Sequence, residues 1–384
     1  MAFLLFFLSC TAEARGQDAQ EQLENSLLIE NLPTLSQAAT KVPRADEDTK
    51  PRDYFFDIEA IHTEVVPKWF EFHGAISQTV LVDGRDDKTQ RDTTKLIDQT
   101  SLTLWLGVNI LKSLSFTSEI DVENGFEIEA ERGHFNWNIL GDLLTVRAGK
   151  FVYPFGIERF QYSEPFNKLV DRPSPMVRIV PGLYTDVGVE FLGTVPIPHI
   201  EGLKYEFAIT NGLDSFDHEG RQKDLADNNT NKQLGGRLGL VLLPGLEIGG
   251  SFLTGKYDID NDNRLFLAGA DIAYRRGGLE FRGEYVTGKV ELDNGEDFHR
   301  NGYYLQTSYR HPFELDYLKY LEGVVRFDSV NPRDDVLNDE DADRIALGIN
   351  YSPVENLTLK FEYEINNQSR GGEDNVFVQV VWRW

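Results

Sequence analysis

The chain lacks long apolar runs and has almost no cysteine. No internal apolar segment approaches the roughly 18 residues that a transmembrane helix requires, so a membrane-spanning form would have to be a closed β-barrel. Cys10 is the single cysteine in 384 residues, which excludes a disulfide framework and thiolate metal sites. Basic residues number 38 against 63 acids, for a net charge of -25, and this balance argues against nucleic acid as a partner.

The first 67 residues are typical of an export signal followed by a polar arm. Residues 1–14 contain a short apolar stretch and then Ala12-x-Ala14, a pattern that predicts a signal peptide cleaved after Ala14. The basic residues that usually precede such a stretch are missing. Residues 15–67 are polar, with Pro, Asp and Lys, and predict a mostly unstructured periplasmic N-terminal arm.

Residues 68–384 have the pattern of a single all-β domain. Methionine is rare (2), whereas Tyr (15), Phe (25) and Gly (33) are frequent, as is usual in strands and their turns. The final segment, 376–384, places three valines and two tryptophans on one face of an extended strand. Alternation of this kind predicts sixteen strands, at 69–81, 99–111, 114–123, 126–138, 143–151, 185–195, 203–211, 234–243, 246–257, 264–276, 279–289, 301–310, 320–328, 342–351, 356–366 and 374–384.

The connections between these strands are sorted by length. Every second one is short and contains Gly or Pro in most cases, as at 243–246 and 276–279, and the intervening ones are mostly long and polar. Barrels of the bacterial outer membrane have short periplasmic turns and long outer loops. A soluble two-sheet sandwich would share the alternation but has no reason to sort its loops. The sequence therefore predicts a transmembrane antiparallel β-barrel of about 16 strands, in contact with outer-membrane lipid and lipopolysaccharide.

The third outer connection, 152–184, is the longest. Loops of about 30 residues in a compact fold are usually functional or disordered. This one is rich in proline and aromatic residues, including Pro154, Phe155 and Pro165, which favours an ordered segment. Because a 16-stranded barrel encloses an aqueous lumen, we expect this third loop to fold inward and narrow it.

The start of this loop carries a family resemblance. Gly149-Lys-Phe-Val-Tyr-Pro-Phe-Gly-Ile-Glu-Arg159 resembles the Gly-Lys-Phe-x-x-Pro-Phe-Gly-Leu-Glu-Arg signature of the phosphate-selective porin O and P family. Downstream, Asp186-Val-Gly-Val189 and Ala208-Ile-Thr-Asn-Gly212 are also similar to that family's pattern. The resemblance implies a homotrimeric 16-stranded porin whose third loop folds into the pore. Ile157 replaces the family's leucine, and Val152 and Tyr153 depart further.

The candidate pore residues are basic. Between Arg147 and Tyr184 there are six basic residues and three acids, a local balance of +3. Such side chains would favour anions in a narrow pore, but they could equally brace the loop through ion pairs with acids of the barrel wall. The candidates for the pore and its constriction are Arg147, Lys150, Arg159, Lys168, Arg172, Arg178, Arg237, Arg282, Arg326 and Arg344.

Strand parity predicts a lumen wall of mixed sign. If the apolar residues face lipid, Lys360 and the wall arginines point inward, together with the acids Glu119, Asp121, Glu127, Glu129, Glu280, Glu284, Glu322 and Glu362. Four of these acids fall on two neighbouring early strands, and most of the arginines fall on later ones. This distribution predicts acidic and basic walls that face each other across the pore.

Enzymatic and metal chemistry find little support in the sequence. A barrel hydrolase needs a Ser/His or Asp/His constellation, yet the seven histidines are scattered, and His218 lies in a polar stretch. Asp258 begins a calcium-like run, but Asn263 and Gly269 stand where a calcium loop has Gly and Glu. We expect no cofactor, no resident metal and no catalytic residue.

The expected function is passive diffusion of small hydrophilic solutes with a weak preference for anions, phosphate among them. The alternative is a general or dipolar-solute porin.

Overall fold

The computed structural model describes residues 69–83, 99–123, 127–180, 184–213, 229–292, 295–333, 341–368 and 374–384. The predicted signal peptide and the predicted arm lie outside these residues and stay predictions. The strands are β1 Phe70–Asp83, β2 Gln99–Leu111, β3 Leu114–Glu123, β4 Glu127–Asn138, β5 Thr145–Val152, β6 Thr185–Val195, β7 Gly202–Thr210, β8 Gln233–Leu243, β9 Leu246–Lys256, β10 Arg264–Arg276, β11 Leu279–Glu291, β12 Asp297–Leu315, β13 Leu318–Asn331, β14 Ala342–Val354, β15 Leu357–Gln368 and β16 Asn375–Arg383. Within these residues, a short helix, α1, spans Ser174–Arg178.

The strands form one closed barrel. Each strand pairs antiparallel with its neighbours in sequence, and β1 closes the sheet on β16, from Ala75 opposite Arg383 to Asp83 opposite Asn375. Closure leaves no sheet edge with unpaired backbone groups, as a lipid environment requires. The prediction of a sixteen-stranded antiparallel barrel is therefore confirmed. Among the described residues, no helix has the length and apolar character needed to span a membrane.

The two ends of the barrel differ. Short turns such as 111–114, 243–246 and 276–279 lie at one end, which we call the short-turn end. The opposite, long-loop end carries the longer connections. Exposed aromatic side chains mark the short-turn end, among them Trp69 and Trp137. The C-terminal residue is held there, because Trp384 exchanges two backbone hydrogen bonds with Gly74 (2.9 and 3.1 Å).

The outer face of the barrel is apolar along most of its strands. On β14, for example, Ile345, Leu347 and Ile349 are exposed, while the residues between them are buried. This period of two matches the alternation expected of strands with lipid on one side. Gly74 lies under the indole ring of Trp384, and a Cβ at that position would overlap the ring.

A bulge interrupts this alternation on β4. The β3–β4 register shifts between Glu119 and Ile120, which leaves Glu131 as the extra residue of β4. A bulge moves the residues on one side of it to the opposite face. Ile128 therefore points outward, whereas Arg132 and His134 are buried inside the barrel.

The barrel interior contains a hydrophobic core as well as polar groups. Near the long-loop end, inward-facing apolar residues of β9–β13, such as Leu265 and Leu267, pack against apolar residues of the segment between β5 and β6. Phe155 and Ile179 belong to the same cluster. The segment is thus packed into the lumen by the same kind of contact that holds a soluble core together.

Candidate functional site

The segment 153–184, which we call the inner loop, fills part of the lumen. At its neck, the backbone N–H of Tyr153 donates to the Tyr184 carbonyl oxygen at 2.8 Å, and the two rings pack 4.9 Å apart. Most described residues between them are buried. The prediction that the third loop folds into the barrel is confirmed.

The signature residues at the loop start dock it on the wall. The Gly156 N–H donates to the Ser251 hydroxyl at 3.0 Å, and the N–H groups of Ile157 and Glu158 donate to the Glu284 carboxylate at 2.9 and 2.6 Å. Gly156 has a φ of +67°, and a Cβ there would overlap that carboxylate. Glycine meets both requirements, since it has no side chain and tolerates positive φ.

The two charged residues that end the signature make ion pairs. Glu158 receives a two-pronged bond from Arg172, with both N–O distances 2.7 Å. Arg159 pairs with Glu206 of β7 and donates to the Gly156 carbonyl oxygen at 3.1 Å. Paired geometry of this kind offsets the cost of removing the charges from water.

The two downstream pieces of the family pattern meet at the neck. Asp186 accepts hydrogen bonds from the N–H groups of Val187 and Gly212, both at 2.7 Å. Its carboxylate also accepts from the Tyr184 hydroxyl at 3.3 Å. The carboxylate therefore ties the start of β6 to the end of β7, where the chain leaves the inner loop.

The middle of the inner loop reaches the β1–β4 side of the barrel. Tyr162 donates its hydroxyl proton to Glu119 at 2.8 Å and accepts from Arg132 at 2.6 Å. Glu164 accepts from the hydroxyls of Ser77 and Ser101. Burial raises the pKa of Glu164 above its ordinary value of 4.5, although the Ser101 hydroxyl and the Lys360 ammonium act in the opposite direction.

The returning half of the inner loop is fastened to β12–β15. Lys168 donates to Ser308 at 2.9 Å and to Glu322 at 2.6 Å. Lys360 donates to the carbonyl oxygens of Glu164 and Asn167, at 2.6 and 2.7 Å. These bonds hold both ends of the segment 164–168.

Two wall arginines hold the next part of the loop. Arg326 donates to the Asp171 carbonyl oxygen at 2.8 Å, and Arg344 donates to the Arg172 carbonyl oxygen at 2.5 Å. Both arginines also bond Asp328, which keeps their planes fixed. Backbone carbonyls that have left water thereby receive charged donors.

A cavity remains between the inner loop and the wall. This cavity, which we call the sub-loop cavity, lies between residues 157–161 and the inner faces of β5–β11, and its volume is about 130 Å³. Its charged lining consists of five basic side chains, Arg147, Arg159, Lys204, Arg237 and Arg282, and three acids, Glu206, Glu247 and Glu280. The sub-loop cavity is thus a recess beside the inner loop with a largely charged lining.

Comparison with protein-family models gives a match over the C-terminal half of the barrel. The model for phosphate-selective porin O and P matches residues 246–378. This chain is similar to the phosphate-selective porins O and P. The match covers β9–β16, whereas the signature described above lies at 149–212, so the two resemblances cover different parts of the chain.

One curated protein and several solved structures are also similar. An uncharacterized protein of Aquifex aeolicus (strain VF5) is 26% identical over an alignment of 192 residues, and the match covers 45% of this chain and 42% of that protein. An anion-selective porin from Comamonas acidovorans shares the fold with a TM-score of 0.59 at 13% identity, over 82% of this chain and 99% of that one. The trimer form of OmpT from Vibrio cholerae gives a TM-score of 0.57 at 10% identity, over 82% and 99% of the two chains. The porin family match and the barrel fold together support an outer-membrane porin channel.

Most of the ten basic pore candidates form ion pairs or hydrogen bonds inside the barrel. Arg147 pairs with Glu190 at 2.6 Å, and the contacts of Arg159, Lys168, Arg172, Arg326 and Arg344 are those given above. Arg237 pairs with Asp271 and Glu247 at 2.5 and 2.7 Å. At Arg178 the contact given is one of the backbone, because its carbonyl oxygen accepts from Arg300. The side-chain contacts of the other residues match the bracing interpretation.

Lys150 differs from the other candidates. It shares a face of β5 with exposed Ala148, opposite the face of Arg147, and its ammonium donates to the Ala130 carbonyl oxygen at 2.7 Å. The structure therefore places Lys150 on the outer face of the barrel. The local balance of +3 counted between Arg147 and Tyr184 includes Lys150 and therefore overstates the positive charge that faces the pore.

The prediction of separate acidic and basic walls is wrong in its basic half. Arg237 lies beside Asp271 of a nearby strand, and Arg326 and Arg344 both contact Asp328. Bases and acids thus interleave on β8–β15, because a buried guanidinium needs a nearby carboxylate. On the β3–β4 side, Glu119 is itself paired with Arg132.

Some residues of the barrel make contacts that the sequence did not reveal. Arg132 escapes the parity argument because the bulge at Glu131 reverses its face. The role of Asp186 at the neck becomes clear only from the structure, in which the Gly212 N–H donates to its carboxylate. Asp258 accepts hydrogen bonds from the N–H groups of Asp262 and Asn263, so its carboxylate closes a turn. Among the described residues there is no group of metal-ligating side chains.

Proposed function

We propose that the protein is an outer-membrane porin that lets small hydrophilic solutes diffuse through a lumen narrowed by the inner loop. The observation that carries this proposal is the anchoring of the inner loop on opposite sides of a closed barrel. Tyr162 is bonded to the β3–β4 wall, and Arg326 and Arg344 hold the backbone on the other side. Such a segment restricts the lumen, and the sub-loop cavity lies beside it.

The proposed selectivity is a weak preference for anions, with phosphate among the permeant solutes. Support comes from the lining of the sub-loop cavity, where five basic side chains face three acids. Charged groups in a narrow pore act at short range, within a Debye length of about 8 Å at physiological salt. The solved anion-selective porin with the same fold agrees with this preference.

A general or dipolar-solute porin is the second candidate. It is favoured by the ion pairs that neutralise most basic side chains of the lumen, such as Arg237 with Asp271. Interleaved charges create a field across the pore that orients dipolar solutes rather than selecting one sign.

The reversal potential of the purified channel in a KCl gradient across a planar bilayer decides between these candidates. The proposal expects a modest potential of the sign for chloride permeation, followed by saturable reduction of the chloride current on titration with phosphate. A clear cation preference would overturn the anion claim. Absence of phosphate block would remove phosphate from the proposed solutes but keep the channel.

We also propose a homotrimer in contact with outer-membrane lipid and lipopolysaccharide, exported by the N-terminal signal and active as a channel rather than an enzyme. The trimer rests on the family resemblance, and OmpT from Vibrio cholerae is described in a trimer form. Electrophoresis of unheated extracts in mild detergent should give a band at about three times the mass of the heat-denatured chain. A single monomer band would contradict the trimer.

A further inference from the structure

The inner loop closes the lumen unevenly. Its middle part bonds β1–β4 through Tyr162 and Glu164, and its returning part bonds β12–β15 through Lys168 and Asp171. Between these contacts, residues 157–161 and the wall of β5–β11 enclose the sub-loop cavity. A solute that crosses beside the loop on this side would have to pass through this cavity.

One basic side chain of the cavity stands apart from the others. Arg147, Arg159, Lys204 and Arg237 each form an ion pair with a wall acid. Arg282 is 7% exposed and bonds two neutral acceptors, the Ile157 carbonyl oxygen at 2.9 Å and the Gln161 side chain. Among the described residues, no carboxylate oxygen lies within 4.0 Å of its nitrogens.

The guanidinium of Arg282 is buried without a carboxylate in direct contact, although Glu280, Glu284 and Glu158 lie near enough to attract its charge. Removing a charge from water is costly unless an opposite charge and hydrogen bonds compensate for it. Arginine has five N–H donors, and the two bonds of Arg282 leave others available. Arg159 and Arg147 line the same cavity. An anion seated there would accept from the remaining donors of Arg282 and form a direct ion pair with it.

The remaining lining restricts the kind of anion. Ile157 and Phe160 of the loop, with Leu192 and Ala273 on inward positions of the wall, border the same space. Inorganic phosphate needs hydrogen bonds around all of its oxygens and gains nothing from apolar side chains. A carboxylate attached to a small apolar body can bond Arg282 at one end and bury apolar surface at the other.

We propose that the sub-loop cavity binds small organic carboxylates with an apolar body, held by Arg282 and packed against Phe160 and Leu192. This inference rests on the proposed channel function, and it specifies the class of solute that binds in the narrow part of the channel. The cavity then acts as a binding site along the passage, which makes transport of such solutes saturable.

The test is block of chloride current by sodium benzoate in planar bilayers containing the purified protein. Benzoate should reduce the current saturably, at concentrations at least about tenfold below those of acetate or phosphate. Arg282→Gln should raise the half-blocking benzoate concentration by at least about tenfold, because a charged partner of the carboxylate is lost. Arg276→Gln makes the same change at an exposed turn residue and should leave block and conductance unchanged.

Two further measurements keep the outcome clear if Arg282→Gln fails to insert. Arg282→Lys keeps the charge and should retain benzoate block in part, and Phe160→Asn should weaken benzoate while leaving acetate unaffected. A wild-type channel that conducts but shows no benzoate block would overturn the carboxylate site and leave the porin proposal standing. Equal block by benzoate and phosphate, or equal block by neutral benzyl alcohol, would also overturn it. A protein that inserts without conducting would refute the proposed function itself.

Discussion

Replacing Gly156 by alanine should loosen the inner loop far more than the same replacement at Gly277. The two glycines have similar positive φ angles, +67° and +57°. Both alanines therefore carry a backbone strain of about 1–2 kcal/mol. At Gly277 a Cβ would meet nothing within 4 Å, whereas at Gly156 it would overlap the Glu284 carboxylate.

The difference between the two variants can be estimated from the bonds that Glu284 makes. Its carboxylate accepts from the N–H groups of Ile157 and Glu158 and from the Tyr304 hydroxyl, at 2.9, 2.6 and 2.6 Å. Hydrogen bonds to a charged group contribute about 1.5–3 kcal/mol each. Loss of one or two of them should cost Gly156→Ala about 1.5–6 kcal/mol more than Gly277→Ala. Even about 1.5 kcal/mol raises the population of locally detached loop about 12-fold.

Single-channel recording and unheated electrophoresis measure this effect together. Gly156→Ala should show larger and noisier current steps, and its folded band should convert to the unfolded band at a lower temperature. Gly277→Ala should resemble the wild type in current and differ slightly in temperature. If the two variants behave alike in both assays, Glu284 does not anchor the loop as the structure indicates.

Three further predictions concern the same loop. Glu284→Gln should also make the current noisier, since an amide cannot accept all three bonds, and Glu314→Gln at an exposed position should not. Deleting residues 162–171 should increase single-channel conductance, and an unchanged conductance in folded, inserted protein would show that the segment does not set the pore size. Burial raises the pKa of Glu164, so ionisation of this carboxyl destabilises the folded state as the pH rises above about 4.5. Glu164→Gln removes the ionisable group and should therefore raise the unfolding temperature at pH 8. At pH 4 the carboxyl is protonated, and the substitution should leave the unfolding temperature unchanged. A larger effect of Glu164→Gln at pH 4 would contradict that sign.

Most of the fold could be predicted because an apolar face repeats every second residue. All sixteen strands were expected near their observed positions, and the largest difference is β12, observed at Asp297–Leu315 against an expected 301–310. The first residues of β12 are polar on their outward side, as at Asp297, His299 and Asn301. A strand that extends beyond the lipid has no apolar face there, and the alternation that marks the others disappears.

The interior could be predicted less well, because one sequence does not tell which inward residues meet water. Leu265 and Leu267 face inward with almost no exposure, while Phe266 between them is exposed on the outer face. Their apolar partners belong to the inner loop, far away in sequence. A strand with two apolar faces reads as an ordinary buried strand, so the packed core inside the lumen was visible only in three dimensions.

The local charge of the inner loop is a poor guide to selectivity for the same reason. Of its basic residues, Arg172 is matched within the loop by Glu158, and Arg159 and Lys168 are matched by wall acids. Paired charges present little net field to a passing ion, because each contributes a dipole rather than a monopole. Selectivity must then depend on a charge that no neighbour neutralises by direct contact. Within the lining of the sub-loop cavity that charge is Arg282, which is why its replacement by glutamine, rather than that of any paired arginine, is expected to change which anions bind.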